Sequence, residues 1–396
     1  MSFGERPGLR VAGLFAGIGG IERGLHFAGH ATTVLCENWP AAQAVLRDRF
    51  PGVDIAPDIR GLRSLPRDVD VVAAGFPCAD ISQAGRTAGI VGEQSGLVSE
   101  VFRLMRRRYP AWLVVENVQN MLVLGRGSAM AYIVGELEQM KMRWAYRVVD
   151  SRFTGVPQRR RRVILVASRT NDPREVLFAD EAGPRPVEDF NDDAYGFYWT
   201  EGLRGLGWAR DAVPTLKGGS TIGIASPPAI WRPGAAAGRK LVTPTVEDAE
   251  RLQGFARAWT SAWTGPRATG ARFKLVGNAV TVGVAKWVGT RLVNPGVPWT
   301  EGEAPLIDVA PWPGAAWGEQ GQRWALRLSE FPRHEPYRHL SDVVDCDHAP
   351  MVSHRGAAGF LSRARRAKLR FAAGFLNDVE EHVELTRTDR AFATAG

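Results

Sequence analysis

Cysteine is nearly absent. The 396 residues carry three, Cys36, Cys78 and Cys346, far apart and without a CxxC pair. An odd, scattered set excludes a disulfide framework and gives no cysteine-built structural zinc site, so no metal is expected. It suits a reducing cytoplasm, which is the expected location. Long apolar runs are missing too. No stretch of about 18 apolar residues occurs, which argues against a membrane-spanning helix. The opening "MSFGERPGLR" shows neither the apolar core nor the cleavage site of a signal peptide. No G-x-x-x-x-G-K-[ST] occurs, so a P-loop is excluded. Lysine is scarce, although the formal net charge is +8; nearly all the cations are arginine.

What is present is a globular composition. It is 45% hydrophobic and 23% charged, enough for a sizeable core and two or three domains. The basic balance favours a polyanionic partner. Arginines cluster at Arg103, Arg106, Arg107 and Arg108, at Arg159, Arg160, Arg161 and Arg162, and at Arg363, Arg365 and Arg366. Guanidinium groups suit bidentate contacts to phosphates and base edges. A GC-rich genome would produce the same clusters with no ligand in view.

Up to about residue 170, apolar runs alternate with helical patterns. Strands are expected at 9–15, 31–37, 69–76, 111–118 and 161–168. Between them, "IERGLHFAG" reads as a helix ending at Gly29, and Pro40 opens another, as proline does in a first turn. "LVSEVFRLMRRR" and "AYIVGELEQM" read as two more. This alternation predicts a parallel sheet covered on both faces. From about 175 prolines and glycines multiply, and most of the thirteen tryptophans follow. That texture predicts a loop-rich second domain with tryptophans in its core. Helices are expected at 245–255 and 274–292. After about 296 a third region begins, ending in the helical stretch "FLSRARRAKLRFAAGFLNDVEEHVE". Within it "DCDH" (345–348) reads as a polar turn, because four consecutive side chains converge poorly on a metal.

Several strand ends carry chemistry. "FAGIGG" joins the first strand to a helix, where glycines let a ligand approach the backbone and the helix offers unpaired N–H groups. Glu37 closes the second strand about 20 residues later, placed to accept from ribose hydroxyls, and Asp58 sits similarly near the next. An adenosine-containing cofactor is the expectation, although a close strand-to-helix turn alone accounts for the glycines. Cys78 in "GFPCADISQAG", Glu116 in "VVENV" and the run Gln158 to Arg162 in "GVPQRRRRV" lie at the ends or starts of further strands. Ligands bind at the carboxyl ends of open parallel sheets. A cation nearby would favour thiolate at Cys78, and apolar flanks would favour a proton on Glu116.

In order, "LFAGIGG", "ENWPAA", "GFPC", "ENV", "PQRRRRV", "ERLQGF" and "GNAV" resemble the DNA (cytosine-5) methyltransferase family of bacterial and phage type. The resemblance covers about residues 10–170 and 241–292. It implies an α/β fold: a Rossmann-like class I S-adenosylmethionine-dependent methyltransferase domain at 1–171, completed by 272–295. A small loop-rich target-recognition domain (172–271) and a C-terminal extension (296–396) follow. By resemblance, Cys78 is a nucleophile that adds to carbon 6 of a flipped cytosine in duplex DNA, so that carbon 5 can take the methyl group. Pro77 shapes its turn, and the loop from Ala79 to about Gln94, with Ser82, is the lid.

Glu116 would donate to ring nitrogen 3 with Asn117 ordering the strand end. Arg160 and Arg162 would hold the cytosine carbonyl and the thiolate region, with Gln158 anchoring their strand. Phe15, Gly17, Gly19 and Gly20 would form the S-adenosylmethionine turn, with Glu37 on the ribose and Trp39 stacked near the adenine. Asp58 and Ile59 would lie at the adenine edge, Asn278 and Val280 near the methionine end. Lys217, Gly218, Gly219, Ser220, Thr221 and Arg232 are candidates for base or phosphate contact. The chain departs from the family pattern at Gly13, where Asp or Ser is common, at Ala79 and Asp80 after the cysteine, and at Arg161, a position often acidic.

The resemblance implies double-stranded DNA as partner, with a cognate restriction endonuclease acting on the same sites, and no membrane. Other readings stand beside it. A tRNA-cytosine methyltransferase would use a similar catalytic set. A catalytically silent DNA-binding module is opposed by the intact Cys78, Glu116 and Arg162. An NAD-dependent oxidoreductase rests on the glycine turn alone.

Overall fold

The described residues of the computed structural model are 8–76, 96–218, 227–307 and 311–393. Their strands are β1 to β16 in chain order. The first apolar runs become β1 (Arg10–Leu14), β2 (Ala31–Cys36), β3 (Asp54–Ala56), β4 (Val71–Ala74) and β5 (Trp112–Val118). They lie side by side and parallel in the order β5-β4-β1-β2-β3. Helices α1 (Gly20–Phe27), α2 (Pro40–Arg49), α3 (Gly96–Arg108) and α4 (Ser128–Gln139) alternate with them along the chain. Pro40 opens α2 and Gly29, at φ +87°, follows the end of α1.

The sheet is not parallel throughout. A strand the sequence reading missed, β6 (Arg143–Asp150), precedes the two-residue β7 (Gln158–Arg159) and β8 (Arg161–Ser168). β8 runs antiparallel to both β5 and β6. The sheet is extended by three late strands, β14 (Ala304–Pro305), β15 (Ala315–Glu319) and β16 (Gln322–Leu326), in the order β14-β16-β15-β6. Side chains alternate between two cores as a pleated strand requires. Leu165 and Ala167 of β8 face one core with Trp144 and Tyr146, while Ile164 and Val166 face the other with Val149. The fold is α/β and Rossmann-like, with a mixed rather than all-parallel sheet.

Two compact units divide the chain. One spans Met1–Thr154, Arg161–Arg185 and Ala279–His334; the other spans Gly155–Arg160, Pro186–Asn278 and Glu335–Gly396. The boundaries expected at 171, 271 and 296 fall elsewhere. The extension is divided because β15 pairs with β6 in the large sheet, while the helices that follow bury their apolar faces in the second unit.

The apolar stretch 274–292 is broken. α5 (Arg174–Leu177), α6 (Val246–Leu252) and α7 (Ala268–Asn278) precede α8 (Val282–Val293), and residues 279–281 between α7 and α8 are not helical. Within the first unit this break seats Val280 beside the opening of α1. A Cβ on Gly24 of α1 would lie 2.4 Å from the Val282 carbonyl oxygen and 2.5 Å from Ala285 Cβ, so α1 and α8 pack backbone to backbone. Gly24→Ala is therefore expected to destabilise by about 1–3 kcal/mol through overpacking, read as a lower denaturation midpoint. An unchanged midpoint would contradict this packing.

The second unit is built on an antiparallel sheet of β9 (Tyr195–Phe197), β10 (Ala209–Arg210), β12 (Ala229–Trp231) and β13 (Leu241–Val242), ordered β10-β9-β12-β13. β11 (Val213–Pro214) pairs with β7. After α9 (Leu340–Val343), α10 (His354–Arg366) and α11 (Phe375–Ala393) supply its other layer. Phe197, Trp231 and Leu241 share a core with Phe360, Leu361, Phe375 and Val379. The expected continuous helix at the C-terminus is interrupted at 367–374, where Gly374 adopts φ +78°. No helix among the described residues is long and apolar enough to cross a membrane.

Candidate active site

The parallel strands end in register. Leu14 lies opposite both Cys36 and Ala74, Cys36 opposite Ala56, and Ala74 opposite Val115. Strand order changes direction between β1 and β4, the kind of switch point at which open α/β sheets bind ligands. Beyond β1 the chain turns tightly. Phe15 has φ +56°, a left-handed conformation that costs a residue with a Cβ about 1–3 kcal/mol. It is held by an edge contact with Phe76, ring centroids 6.3 Å apart, and by the Ala16 N–H donated to Cys36. Gly19 caps α1 at φ +80°.

Glu37 fixes this turn. One carboxylate oxygen accepts the Gly17 N–H and the other the Trp39 N–H, both at 2.8 Å. A Cβ on Gly17 would meet nothing within 4 Å, so the turn faces open space beside a fixed acceptor. Trp39 is half-buried at the start of α2. Asp58 accepts the Arg60 N–H at 2.9 Å and starts a short 3-10 turn, and Ile59 is buried behind it. Val280 is buried next to Gly20. An open Gly turn, a fixed carboxylate and a capped acidic loop fit an adenosine-bearing cofactor.

The next strand ends hold the catalytic candidates. Asn117 donates to the Phe76 carbonyl at 3.0 Å, and its Oδ1 accepts the Val118 N–H at 2.8 Å. It therefore ties the end of β5 to the chain two residues before Cys78. Pro77, Cys78, Ser82 and the expected lid lie outside the described residues. Glu116 is 8% exposed, and Arg162 Nε stands 2.9 Å from its Oε1. This is a close ion pair rather than an aligned hydrogen bond. The antiparallel register makes it: Glu116 lies opposite Ile164 and Val118 opposite Arg162, so the two side chains meet diagonally on one face. Glu116 thus has a guanidinium beside it as well as the apolar flanks of its own strand.

The second unit holds the remaining candidates. Gln158 is fully buried, accepts the Leu216 N–H and donates to the Leu252 carbonyl, each at 3.0 Å. It joins β7 to α6 and to the chain after β11. Arg160 is 2% exposed, and its Nη1 donates to the carbonyls of Leu216 and Gly277. That donor ties the chain after β11 to the last turn of α7. Asn278 is exposed at the end of α7. A Cβ on Gly218 would lie 2.2 Å from its Oδ1. Lys217 pairs with Glu201 at 2.5 Å and lies over the Tyr198 ring. Arg232 pairs with Asp347 at 2.8 Å. Gly219, Ser220 and Thr221 lie outside the described residues.

A model of the C-5 cytosine-specific DNA methylase family matches residues 9–194. The type II methyltransferase M2.BsuMI of Bacillus subtilis (strain 168) is 45% identical over 386 residues, 94% of this chain and 97% of that one. The chain belongs to the C-5 cytosine-specific DNA methylase family. It is a DNA (cytosine-5) methyltransferase. The type II methyltransferase M.Bsp6I of Bacillus sp. (strain RFL6) is 34% identical over 41% of this chain and 52% of its own. Among solved structures, S. pombe Dnmt2 methyltransferase superposes with a TM-score of 0.54 at 15% identity, over 72% of this chain and 98% of that one. The Entamoeba histolytica methyltransferase EhMeth gives 0.54 at 14%. These two likenesses show the fold.

Most arginine clusters of the methyltransferase are cross-links within it. Arg103 pairs with Glu100 at 2.6 Å and donates to the carbonyls of Ile59 and Leu62. Arg106 pairs with Glu136, and Arg161 with Glu330. Arg363 donates to the carbonyls of Glu201 and Trp199, and Arg365 pairs with Glu380. In "DCDH", Asp345 pairs with His348 on the surface, and no cluster among the described residues could hold a metal ion. The sequence reading passed over Glu22, a carboxyl that is 1% exposed. Acids are common in a first helical turn, which disguises a buried one as a surface one.

Proposed function

We propose that the enzyme transfers a methyl group from S-adenosylmethionine to carbon 5 of a cytosine turned out of duplex DNA, through a transient bond from Cys78 to carbon 6. The observation that carries this reading is the Asn117 tie to Phe76. It fastens the end of β5, the strand of Glu116, to Phe76 beyond the end of β4, two residues before Cys78 in the chain. The other thiols do not compete. Burial pushes Cys36 up to about 12 and Cys346 up to about 11, and a thiol that stays protonated is a poor nucleophile.

The chemistry follows from the residue types. The Cys78 thiolate adds to carbon 6 while Glu116 delivers a proton to nitrogen 3, which leaves electron density on carbon 5. Arg162, beside Glu116, steers that carboxyl and reaches for the ring carbonyl. Phe15, Gly17, Gly19, Gly20, Glu37, Trp39, Asp58, Ile59, Asn278 and Val280 would hold the cofactor, Glu37 taking ribose hydroxyls. When bound, S-adenosylmethionine supplies an electrophilic methyl on a cationic sulfur. Loss of the carbon-5 proton to solvent then breaks the bond to carbon 6 and expels the Cys78 thiolate, and nitrogen 3 returns its proton to Glu116, which restores the ring. The second unit would read a short DNA sequence through residues such as Lys217 and Arg232, each released from its acidic partner. The type II names of the relatives support a protective role beside a restriction endonuclease.

DNA carrying 5-fluorocytosine tests the reading, because fluorine cannot leave as the proton does. Incubation with S-adenosylmethionine should give a denaturation-resistant adduct whose peptide map ends at Cys78. An active preparation that gives no adduct, or one bonded elsewhere, would overturn it.

A further inference from the structure

Glu22 is an anomaly in the first unit. It belongs to α1, three residues after the cap Gly19, yet it is 1% exposed. Its carboxyl occupies a notch in β1: a Cβ on Gly13 would lie 2.1 Å from Glu22 Oε1. Gly13 stands two residues before Phe15, where the strand enters the turn. Glu22 Oε2 is buried and has no hydrogen-bond partner among the described residues. A buried acceptor left without a donor is costly, about 1–3 kcal/mol or more for a charged group. Native folds retain few such groups, and each asks for an explanation.

The neighbours are acidic rather than basic. Glu37, which holds the Gly17 N–H, is close enough to raise the Glu22 pKa further. Burial is the largest cause, a hydrogen bond from its own backbone N–H works against it, and the pKa stands at about 7. Two carboxyl groups thus flank one glycine turn, and the deeper one has an oxygen to spare. The missing complement is a cationic donor.

We propose that Glu22 accepts the ammonium group of the methionine portion of S-adenosylmethionine, a carboxyl delivered from α1 into the space that Gly13 leaves on β1. This rests on the cofactor reading above and assigns it a residue. Glu37 would then take the sugar and Glu22 the amino group, so the two acids would divide the cofactor between them. Gly13 is then a requirement of the arrangement, since a side chain there and the Glu22 carboxyl exclude each other.

Calorimetric binding of S-adenosylhomocysteine and of 5′-methylthioadenosine, which lacks the amino-acid portion, separates the possibilities. Glu22→Gln should weaken S-adenosylhomocysteine by about 10- to 100-fold and leave 5′-methylthioadenosine unchanged. Moving the acid back to the strand, in the double variant Gly13→Asp with Glu22→Ala, should recover most of the lost affinity. Equal affinity for S-adenosylhomocysteine in wild type and Glu22→Gln overturns the proposal, as does an equal loss for both ligands. A wild-type protein that binds neither ligand overturns the cofactor reading itself.

Discussion

Cys78→Ala should lose methylation by roughly 10⁴-fold or more, the scale on which removal of a covalent nucleophile acts, while still binding DNA. Bisulfite or long-read sequencing of host DNA expressing wild type and variant measures it directly. Wild type should leave a cytosine-5 mark at a short recurrent sequence, and the variant none. Cys36→Ala and Cys346→Ala should keep the mark, because both thiols are buried within the fold and neither is poised to ionise. Methylation that survives in Cys78→Ala would remove the nucleophile from the mechanism. A mark on an exocyclic amine would remove the mechanism altogether, since alkylation of an amine needs no addition at carbon 6. The experiment is decisive because the chain offers few alternatives: of its three cysteines, Cys36 and Cys346 are buried.

The second large effect belongs to the second unit. Phe375→Ala should destabilise the second unit by about 3–5 kcal/mol, the usual cost of truncating a fully buried aromatic residue. Phe375 is 0% exposed. Its ring lies 5.1 Å from those of Phe197 and Trp208, 5.3 Å from Trp231 and 5.8 Å from Phe360. It is therefore the piece through which the C-terminal helices close the core of the small sheet. Denaturant titration followed by tryptophan fluorescence should show the loss in a transition belonging to this unit, and DNA binding should weaken in parallel. A midpoint within experimental error of wild type would show that the tail is an appendage. Read from the sequence as part of a C-terminal extension, 335–393 supplies much of the core of the second unit. Trp231 Nε1 bonds to Asp378 at 2.8 Å, and Lys240 reaches both Asp378 and Glu381.

These two predictions mark different depths of legibility. The strand-end residues could be read directly, because apolar runs of four to eight residues name their own ends. β8 is the sequence reading's 161–168, and β5 differs from its 111–118 by one residue. β6 escaped because "RWAYRVVD" mixes arginine and tryptophan into what is a buried strand. Arg147 is 0% exposed there, held by Glu181 and backbone carbonyls. The single helix expected over 274–292 failed because apolar periodicity does not see a neighbouring helix pressing its backbone into residues 279–281.

By itself the sequence determined the local facts: which residues end strands, which turn is glycine-built, which thiol follows a proline at a strand end, and which family shares that order. Tertiary structure alone decided who meets whom. The antiparallel register of β5 and β8 brings Arg162 to Glu116, the aromatic core draws the C-terminal helices into the second unit, and the notch at Gly13 takes in Glu22. Periodicity says which face a side chain occupies. It carries no information about the partner across that face, because pairing and burial are settled between segments far apart in the chain.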